Sequence, residues 1–316
     1  KNPDYFRGEP KLDGIEFNMM DDTTAIEVAL ENGELHMGKG VGDKNWIDRM
    51  MDHDQITIDM PEPRLFWGIY LNTSREPFND KRVREAVNYA INQTEYVEEY
   101  LGTHAANVPT SPLASGYFGS AEADIIGYDP DKAKELLAEA GYADGLTLPT
   151  QYVTTNPTYL EKMIWVQDEL RKVGIEMPIE QVDHATYHAN VRENLNDMVL
   201  YAYVRQPHLD VPLTQFFYGP SIVGKETAVT NFIHYDKVDD LIEEARVATD
   251  LNEQQQLYEE IIKQINEDVV LVPFSESSTP YMRRNEVETG YVNGTEGGFG
   301  TMIYNYTVNE NTDITN

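Results

Sequence analysis

His184 and His188 are the residues whose types and spacing most invite chemistry. They stand four apart in a segment patterned as a helix, so their imidazoles lie one above the other. That spacing suits chelation of a divalent metal, and Asp183 and Glu193 are near in sequence. The pair is the one feature that would support a metal-dependent hydrolase. It is equally what a solvated helix face displays, and the spacing forces no third ligand. Other enzyme signatures are missing: no Gly-x-Ser-x-Gly elbow, no phosphate-loop signature, no His-Glu-x-x-His zinc helix. Gly38-Lys39-Gly40-Val41-Gly42 lacks the spacing of a dinucleotide fingerprint and reads as a turn. The acidic pairs Asp21-Asp22 and Asp239-Asp240 fall where helices should begin, and there they serve as caps. Tyr201 and Tyr203 alternate on a strand that runs into a polar loop. Such a pair suits a ligand cleft, and equally the half-buried face of a sheet.

Composition narrows the classes. At 316 residues the chain is long enough for about two domains. Asp and Glu total 55 against 24 Lys and Arg, a formal net charge of -31. That field repels phosphate backbones and anionic membranes, so no nucleic-acid partner is expected. It suits a salty or alkaline exterior, as of a halophile, and equally any acidic protein kept in solution by charge. Cysteine is absent, which removes disulfides, thiolate metal sites and cysteine nucleophiles. No apolar run approaches the roughly 18 residues of a membrane span. The opening Lys-Asn-Pro-Asp-Tyr-Phe is not a signal peptide, and the chain is expected to be a processed protein or a fragment. Asn-x-Ser/Thr sequons begin at Asn72, Asn92, Asn293 and Asn305, at a frequency chance accounts for.

The elements that would position these residues follow from periodicity and breakers. Leu12, Ile15 and Phe17 are spaced for an extended segment. Residues 23–30 read as a helix capped by Asp22 and stopped by Gly33. A buried strand is expected over 65–71 and a helix over 77–101, its cap in Phe78-Asn79-Asp80. Residues 105–128, rich in Pro and Gly, read as an irregular loop. Further helices are expected over 131–140, 159–173, 185–194, 238–249 and 253–267. Strands are expected over 146–153, 175–182, 198–204, 269–273, 286–292 and 302–308, with a turn at 154–157 and a polar loop at 207–212. Alternating strands and helices indicate an α/β protein.

Several blocks, in order, then resemble one family. They are Asn2-Pro3-Asp4-Tyr5-Phe6-Arg7-Gly8, Ala29 to Leu35, Pro77-Phe78-Asn79-Asp80-Lys81-Arg82-Val83-Arg84-Glu85-Ala86, Tyr128-Asp129-Pro130 with Glu139-Ala140-Gly141-Tyr142, Val238 to Ala245, and Val272-Pro273. The set resembles the extracytoplasmic solute-binding proteins of ABC importers, oligopeptide and dipeptide class (family 5), in their C-terminal portion. The resemblance implies a two-lobe, class II periplasmic-binding-protein-like α/β fold. It assigns 1–70 to part of a first lobe, 71–278 to a complete second lobe, and 279–316 to a return into the first. The strands of 1–70 and 279–316 would then lack neighbours, so their sheet should be curtailed or borrow a partner for its edge.

The resemblance also implies a function without covalent chemistry or cofactor. A peptide would be captured in a cleft between the lobes and passed to a membrane permease. The full-length protein would be extracytoplasmic and monomeric, with a lipid anchor as one mode of attachment. Peptide backbone would extend a second-lobe strand at Tyr203, Val204, Arg205 and Gln206. Asn156 and Tyr159 would face the same cleft. Many relatives place an Asp just after this strand to meet the peptide ammonium; here Gln206 stands there and the next carboxylate is Asp210. Either Asp210 takes that role or the ligand has no free ammonium, which leaves an oligosaccharide or other neutral solute as the alternative. Hinge motion would be carried by crossing strands near 69–71 and 274–278.

Overall fold

The computed structural model describes residues 2–4, 6, 9, 12–20, 22–206, 208–225, 230–288 and the backbone of 307–308. In chain order the elements are α1 (Thr23–Glu31), β1 (Met37–Lys39), α2 (Lys44–Met51), β2 (Ile56–Asp59), β3 (Leu65–Leu71), α3 (Lys81–Ala90), α4 (Gln93–Glu95) and β4 (Ala106–Asn107). Next come α5 (Pro130–Glu139), β5 (Leu146–Thr147), β6 (Gln151–Thr154), α6 (Pro157–Lys172), β7 (Ile175–Glu176), β8 (Ile179–Val182), α7 (His184–Arg192) and β9 (Met198–Val204). The chain closes with α8 (Asp210–Phe216), α9 (Asp239–Val247), α10 (Leu251–Asp268), β10 (Leu271–Ser277), β11 (Tyr281–Arg284), β12 (Val287–Glu288) and β13 (Thr307–Val308). Unit 1 comprises 1–64, 97–107 and 277–316; unit 2 comprises 65–96 and 108–276. The chain thus changes unit at 64/65 and 276/277, and residues 97–107 make an excursion into unit 1.

Unit 1 is a small sheet with two helices. Its order is β1–β11–β2, all antiparallel, so a strand from the far end of the sequence sits between two from its start. Ile26, Leu30, Met50, Ile56 and Met282 form its core. Asp22 caps α1 as expected, accepting the Ala25 N–H, and Asp43 accepts that of Trp46 at the start of α2, a helix the spacing did not predict. Gly33 ends α1 at φ +77°, a conformation that favours glycine.

Unit 2 is built on β3. This strand pairs antiparallel with β9 in one unbroken register, from Leu65 opposite Val204 to Leu71 opposite Met198, and with β10 on its other side. One sheet face, with Phe66, Tyr70, Val199 and Tyr203, joins Phe216, Ile242, Tyr258, Ile261 and Ile265 in the main core. The opposite face presents Trp67 to α6, where the Tyr159 ring meets it edge-on at 4.9 Å and the Lys162 ammonium lies 4.5 Å above it. Two short parallel pairs, β5–β7 and β6–β8, flank α6.

The structure corrects several expectations. Residues 12–17 form no strand: Phe17 is 74% exposed, and no neighbour among the described residues supplies a ladder. The helix expected over 77–101 breaks after Ala90, because the Asn92 side chain accepts the Glu95 N–H and starts a new helix. Strands 146–153 and 175–182 each split in two around Pro149 and Pro178, which have no N–H for a ladder. The polar loop at 207–212 is cut short by α8, which begins at Asp210 and carries Pro212 in its first turn, where no N–H is needed. The strand at 269–273 starts later and runs to Ser277, since Val269 turns at φ +50°. Of the two C-terminal strands only 287–288 and 307–308 are described, paired antiparallel; 289–306 lie outside the described residues. The Asn72 sequon is closed to modification. Asn72 is 1% exposed and its side chain donates to Asn194 and accepts from Ser74.

Arg84, in the middle of the most specific sequence block, is 6% exposed. Its guanidinium donates to the carbonyls of Phe78 (2.8 Å), Asp268 (2.7 Å) and Val269 (2.9 Å). It thereby joins the start of α3 to the end of α10. A lysine ammonium at that position has no fork with which to span these acceptors. Arg84→Lys is expected to lower stability by about 2–4 kcal/mol in urea denaturation, since buried carbonyls lose their donors; an unchanged midpoint would show that they re-solvate freely.

Lys162 is the opposite case, 5% exposed, its ammonium donating only to the Thr158 carbonyl among the described residues. Burial pushes it down to about 8 from its ordinary 10.5. Between those values the unfolded chain holds the proton and the folded chain does not, so stability rises with pH across about 8 to 10.5. Lys162→Met should add about 1–3 kcal/mol at pH 7 and flatten that rise. Equal pH profiles for the two proteins would contradict it.

Candidate functional site

β9 ends the β10–β3–β9 row, so it pairs on one side only. The Asp197 carbonyl accepts the Asn72 N–H, which fixes the alternation: Val199, Tyr201 and Tyr203 bond to β3, while Met198, Leu200, Ala202 and Val204 direct their backbone groups outward. Side chains meet several of these. Gln151 Oε1 accepts the Met198 N–H at 3.0 Å, the Tyr187 hydroxyl donates to the Leu200 carbonyl at 2.6 Å, and Gln206 Nε2 donates to the Val204 carbonyl at 3.0 Å. At Ala202 neither backbone group has a partner among the described residues.

Aromatic groups flank this strand. Tyr201, half-buried, lies 5.8 Å from the His188 ring. Tyr159 lies 5.6 Å from His184, and burial raises its hydroxyl to about 12, so it stays a neutral donor. His184 and His188 bring their Nε2 atoms to 3.2 Å, and His184 Nδ1 lies 3.2 Å from Thr154 Oγ1. Partial burial, His184 and Arg192 all lower the His188 pKa, so its imidazole is neutral at pH 7.

The sequence-expected residues divide into two groups. Tyr203 is core: 6% exposed, its ring against Phe66 and Phe216 and its hydroxyl accepting the Ala114 N–H at 2.8 Å. Val204 has a buried side chain and offers only backbone. Arg205 donates to the Ser115 carbonyl and offsets Glu276, whose carboxylate accepts the Ser115 N–H and hydroxyl. It braces a loop. Asp210 accepts from Arg246 Nε at 2.7 Å and from Thr214, so its charge is already paired. Asn156 caps α6 through the Thr158 N–H. Tyr159 and Gln206 stand beside the open strand with Tyr201. Two residues escaped sequence reasoning. Gln151, fully buried, ties β6 to the start of β9, and a single Gln opening a strand carries no sequence signal. Lys162 sits inside the stripe Tyr159, Met163, Val166 and Leu170, a position that helical spacing marks as inward.

A groove of about 620 Å³ lies elsewhere on unit 2, lined by Lys134, Tyr142, Asp144 and Lys172 among others, and takes in none of the expected site residues. Among the described residues no three His, Asp or Glu side chains converge on a metal position, and no helix is long and apolar enough to cross a membrane.

Known proteins match this arrangement. The family described as bacterial extracellular solute-binding proteins, family 5 Middle, matches residues 1–225. Di/tripeptide-binding protein 2 of Pseudomonas aeruginosa is 26% identical over 283 residues, 87% of this chain and 52% of its own length. The nickel-binding periplasmic protein of Escherichia coli is 22% identical over 307 residues, 91% of this chain and 57% of its own. The chain spans about half the length of the curated relatives it matches. Among solved structures, MoaA of A. tumefaciens R10, in complex with mannopinic acid, superposes with a TM-score of 0.86 at 32% identity, over 97% of this chain and 62% of its own. DppA of Helicobacter pylori, in complex with the peptide STSA, gives 0.83 at 24% identity, over 98% and 60%. The fold is that of the family 5 periplasmic binding proteins. The chain belongs to the family 5 bacterial extracellular solute-binding proteins.

Proposed function

We propose that this chain is the ligand-capturing part of an extracytoplasmic solute-binding protein that serves an ABC importer, and that it takes a peptide as an added strand on β9. The observation that carries this reading is Ala202, the one outward-facing residue of β9 with neither amide nor carbonyl partnered among the described residues. A peptide N–H and C=O there gain two hydrogen bonds without reading any side chain, which permits broad specificity. The Gln206 amide, now on the Val204 carbonyl, can yield that acceptor to the ligand. Tyr159 and Tyr201 offer flat contact and hydroxyls beside the strand. Release to a membrane permease needs no chemistry from the chain.

Among the described residues no unpaired carboxylate stands beside the open end of β9 for the peptide's amino end. Asp210 is paired with Arg246 and Gln206 is neutral. That favours peptides whose amino terminus is left in water or blocked, and it supports as a second reading a neutral solute such as an oligosaccharide.

Ala202→Pro deletes an outward N–H that the fold does not use, so the protein should fold normally. Peptide affinity by calorimetry is expected to fall about tenfold or more, for the lost hydrogen bond and the blocked edge. Undiminished binding by a well-folded variant would overturn strand addition. Asp210→Asn should leave peptide affinity unchanged while lowering stability by about 0.5–1 kcal/mol, the worth of a part-exposed ion pair. N-acetylated and free peptides should bind alike. Weakened binding of the free peptide alone, in the Asn variant, would restore Asp210 as the ammonium partner.

A further inference from the structure

From the β6–β8 pair we infer a second docking edge on unit 2, at Ile179 and Gln181 of β8, which takes an extended, lysine- or arginine-bearing segment of another protein as an added strand. The edge lies on a different strand from β9 and does not rest on the peptide reading.

Three observations carry it. First, β8 pairs with β6 alone. The Gln151 N–H donates to the Pro178 carbonyl and the Thr155 N–H to that of Val182, which turns the backbone of Pro178, Glu180 and Val182 toward β6. Ile179 and Gln181 therefore direct their amides and carbonyls outward, and none of these groups has a partner among the described residues.

Second, the neighbouring backbone is taken up. On the far side of β6 the Asn196 side chain accepts the Tyr152 N–H and donates to its carbonyl, both at 3.0 Å, as an adjacent strand would. On the rim of β8 itself, Gln167 Nε2 donates to the Met177 carbonyl at 2.6 Å. The opening is bounded by Met177 on one side and by α7, which begins at His184, on the other.

Third, the charge beside the opening selects its occupant. Glu180, between the two open residues, is exposed and joins no ion pair among the described residues. No Lys or Arg occurs from Val173 to Val191. Glu176 lies 3.9 Å from Arg171 and Asp183 caps α7, so Glu180 is the charge left to a partner. A carboxylate on an edge strand repels edges of its own sign. It repels a second copy: the antiparallel register that uses every open group sets the two copies' Glu180 opposite each other, about 4.5 Å apart at Cα. Each copy also carries -31 overall. A segment with Lys or Arg opposite Glu180 makes the same backbone bonds and adds a cross-strand charge pair. Two residues of backbone hold a free peptide weakly against its lost freedom. A segment anchored elsewhere in its own protein is kept at high effective concentration, so a protein partner fits this edge better than a solute.

The test titrates the whole chain, followed by amide NMR, with a short capped peptide alternating lysine and valine and with its glutamate–valine counterpart. The lysine peptide should shift the Ile179 and Gln181 amides saturably, the glutamate peptide should not, and added salt should weaken the binding. Gln181→Pro removes an outward N–H that the fold does not use and should weaken the lysine peptide about tenfold or more. Glu180→Lys alters only an exposed side chain and should reverse the preference between the peptides; it reads the same edge if the proline variant unfolds. Sedimentation should show no self-association that depends on Gln181. Saturable shifts that spare Ile179 and Gln181, equal response to both peptides, an unreversed preference in Glu180→Lys, or undiminished binding by a folded Gln181→Pro variant would each overturn the edge. Self-association lost in Gln181→Pro would give the edge to a second copy and overturn the basic partner.

Discussion

A strand paired on one side only must direct every second backbone amide and carbonyl away from its sheet, and each of those groups needs a partner or water. The candidate site follows from that constraint. Along β9 the Met198 N–H and the Leu200 and Val204 carbonyls are met in turn by Gln151, Tyr187 and Gln206, each from a different local element. Three distinct side chains end the strand's pairing, where a further strand would have continued it. Ala202, with a small side chain, is the one outward-facing residue whose amide and carbonyl both lack a partner among the described residues. On the proposed reading, a site made this way would recognise what every peptide shares. Edge strands are usually guarded against strangers by charge or proline; here the neighbours are neutral amide and aromatic groups, which leave the edge approachable.

The edge is useful only if its sheet is rigid, and rigidity comes from the opposite side. β3 is packed on both faces, by the aromatic core of Phe66, Tyr70, Phe216 and Phe232 and by Trp67 against α6. β10 enters from α10 through Val269, whose left-handed backbone leaves carbonyls exposed at a buried turn. Arg84 takes up those carbonyls and ties them to the start of α3. The sequence block around Arg84 is therefore structural: it holds the entry to β10, which holds β3, which sets β9. Lys162 lies on the same framework as a cost, a desolvated ammonium above an indole, offset only in part by the ring's negative face.

Much of the framework was legible. β9 follows from Met198 to Val204 as a β-rich apolar run, and β3 likewise. Asp22, Gly33 and Asp80 mark helix ends by mechanisms local to a few residues, and such signals survive folding unchanged. What failed depended on distant partners or on competing local bonds. Phe17 alternates like a strand residue, but alternation makes no strand without a neighbour. Asn92 broke a helix because its side chain offered the backbone another acceptor. In the candidate site, the sequence pointed to β9, while several of the named side chains are taken up within the fold. Tyr203 and Arg205 point into structure, because β9 alternation and the loop at Ser115 decide where they go. The contribution of Ala202 is invisible in its side chain, since it consists of an absent neighbour.

The chain's charge and the site's charge disagree, and the disagreement bears on selection. The whole sequence carries -31, yet the carboxylates near β9 are occupied. Asp183 accepts the Thr186 hydroxyl and the Thr186 and Ala185 amides at the start of α7, which hold its pKa down. Asp210 is paired with Arg246, and Glu276 is buried with Ser115 and Arg205. The groups left facing solute include His184, His188, Arg192 and the adjoining Glu193, two tyrosines and backbone. In a strongly negative field such a patch is the local exception, and an anion is drawn to it more than to the surrounding surface. A cation-seeking site, of the kind that would grip a peptide ammonium, calls for an unpaired carboxylate beside Ala202. Its absence among the described residues directs the chemistry toward hydrogen-bonded backbone and toward solutes that bring negative charge with them.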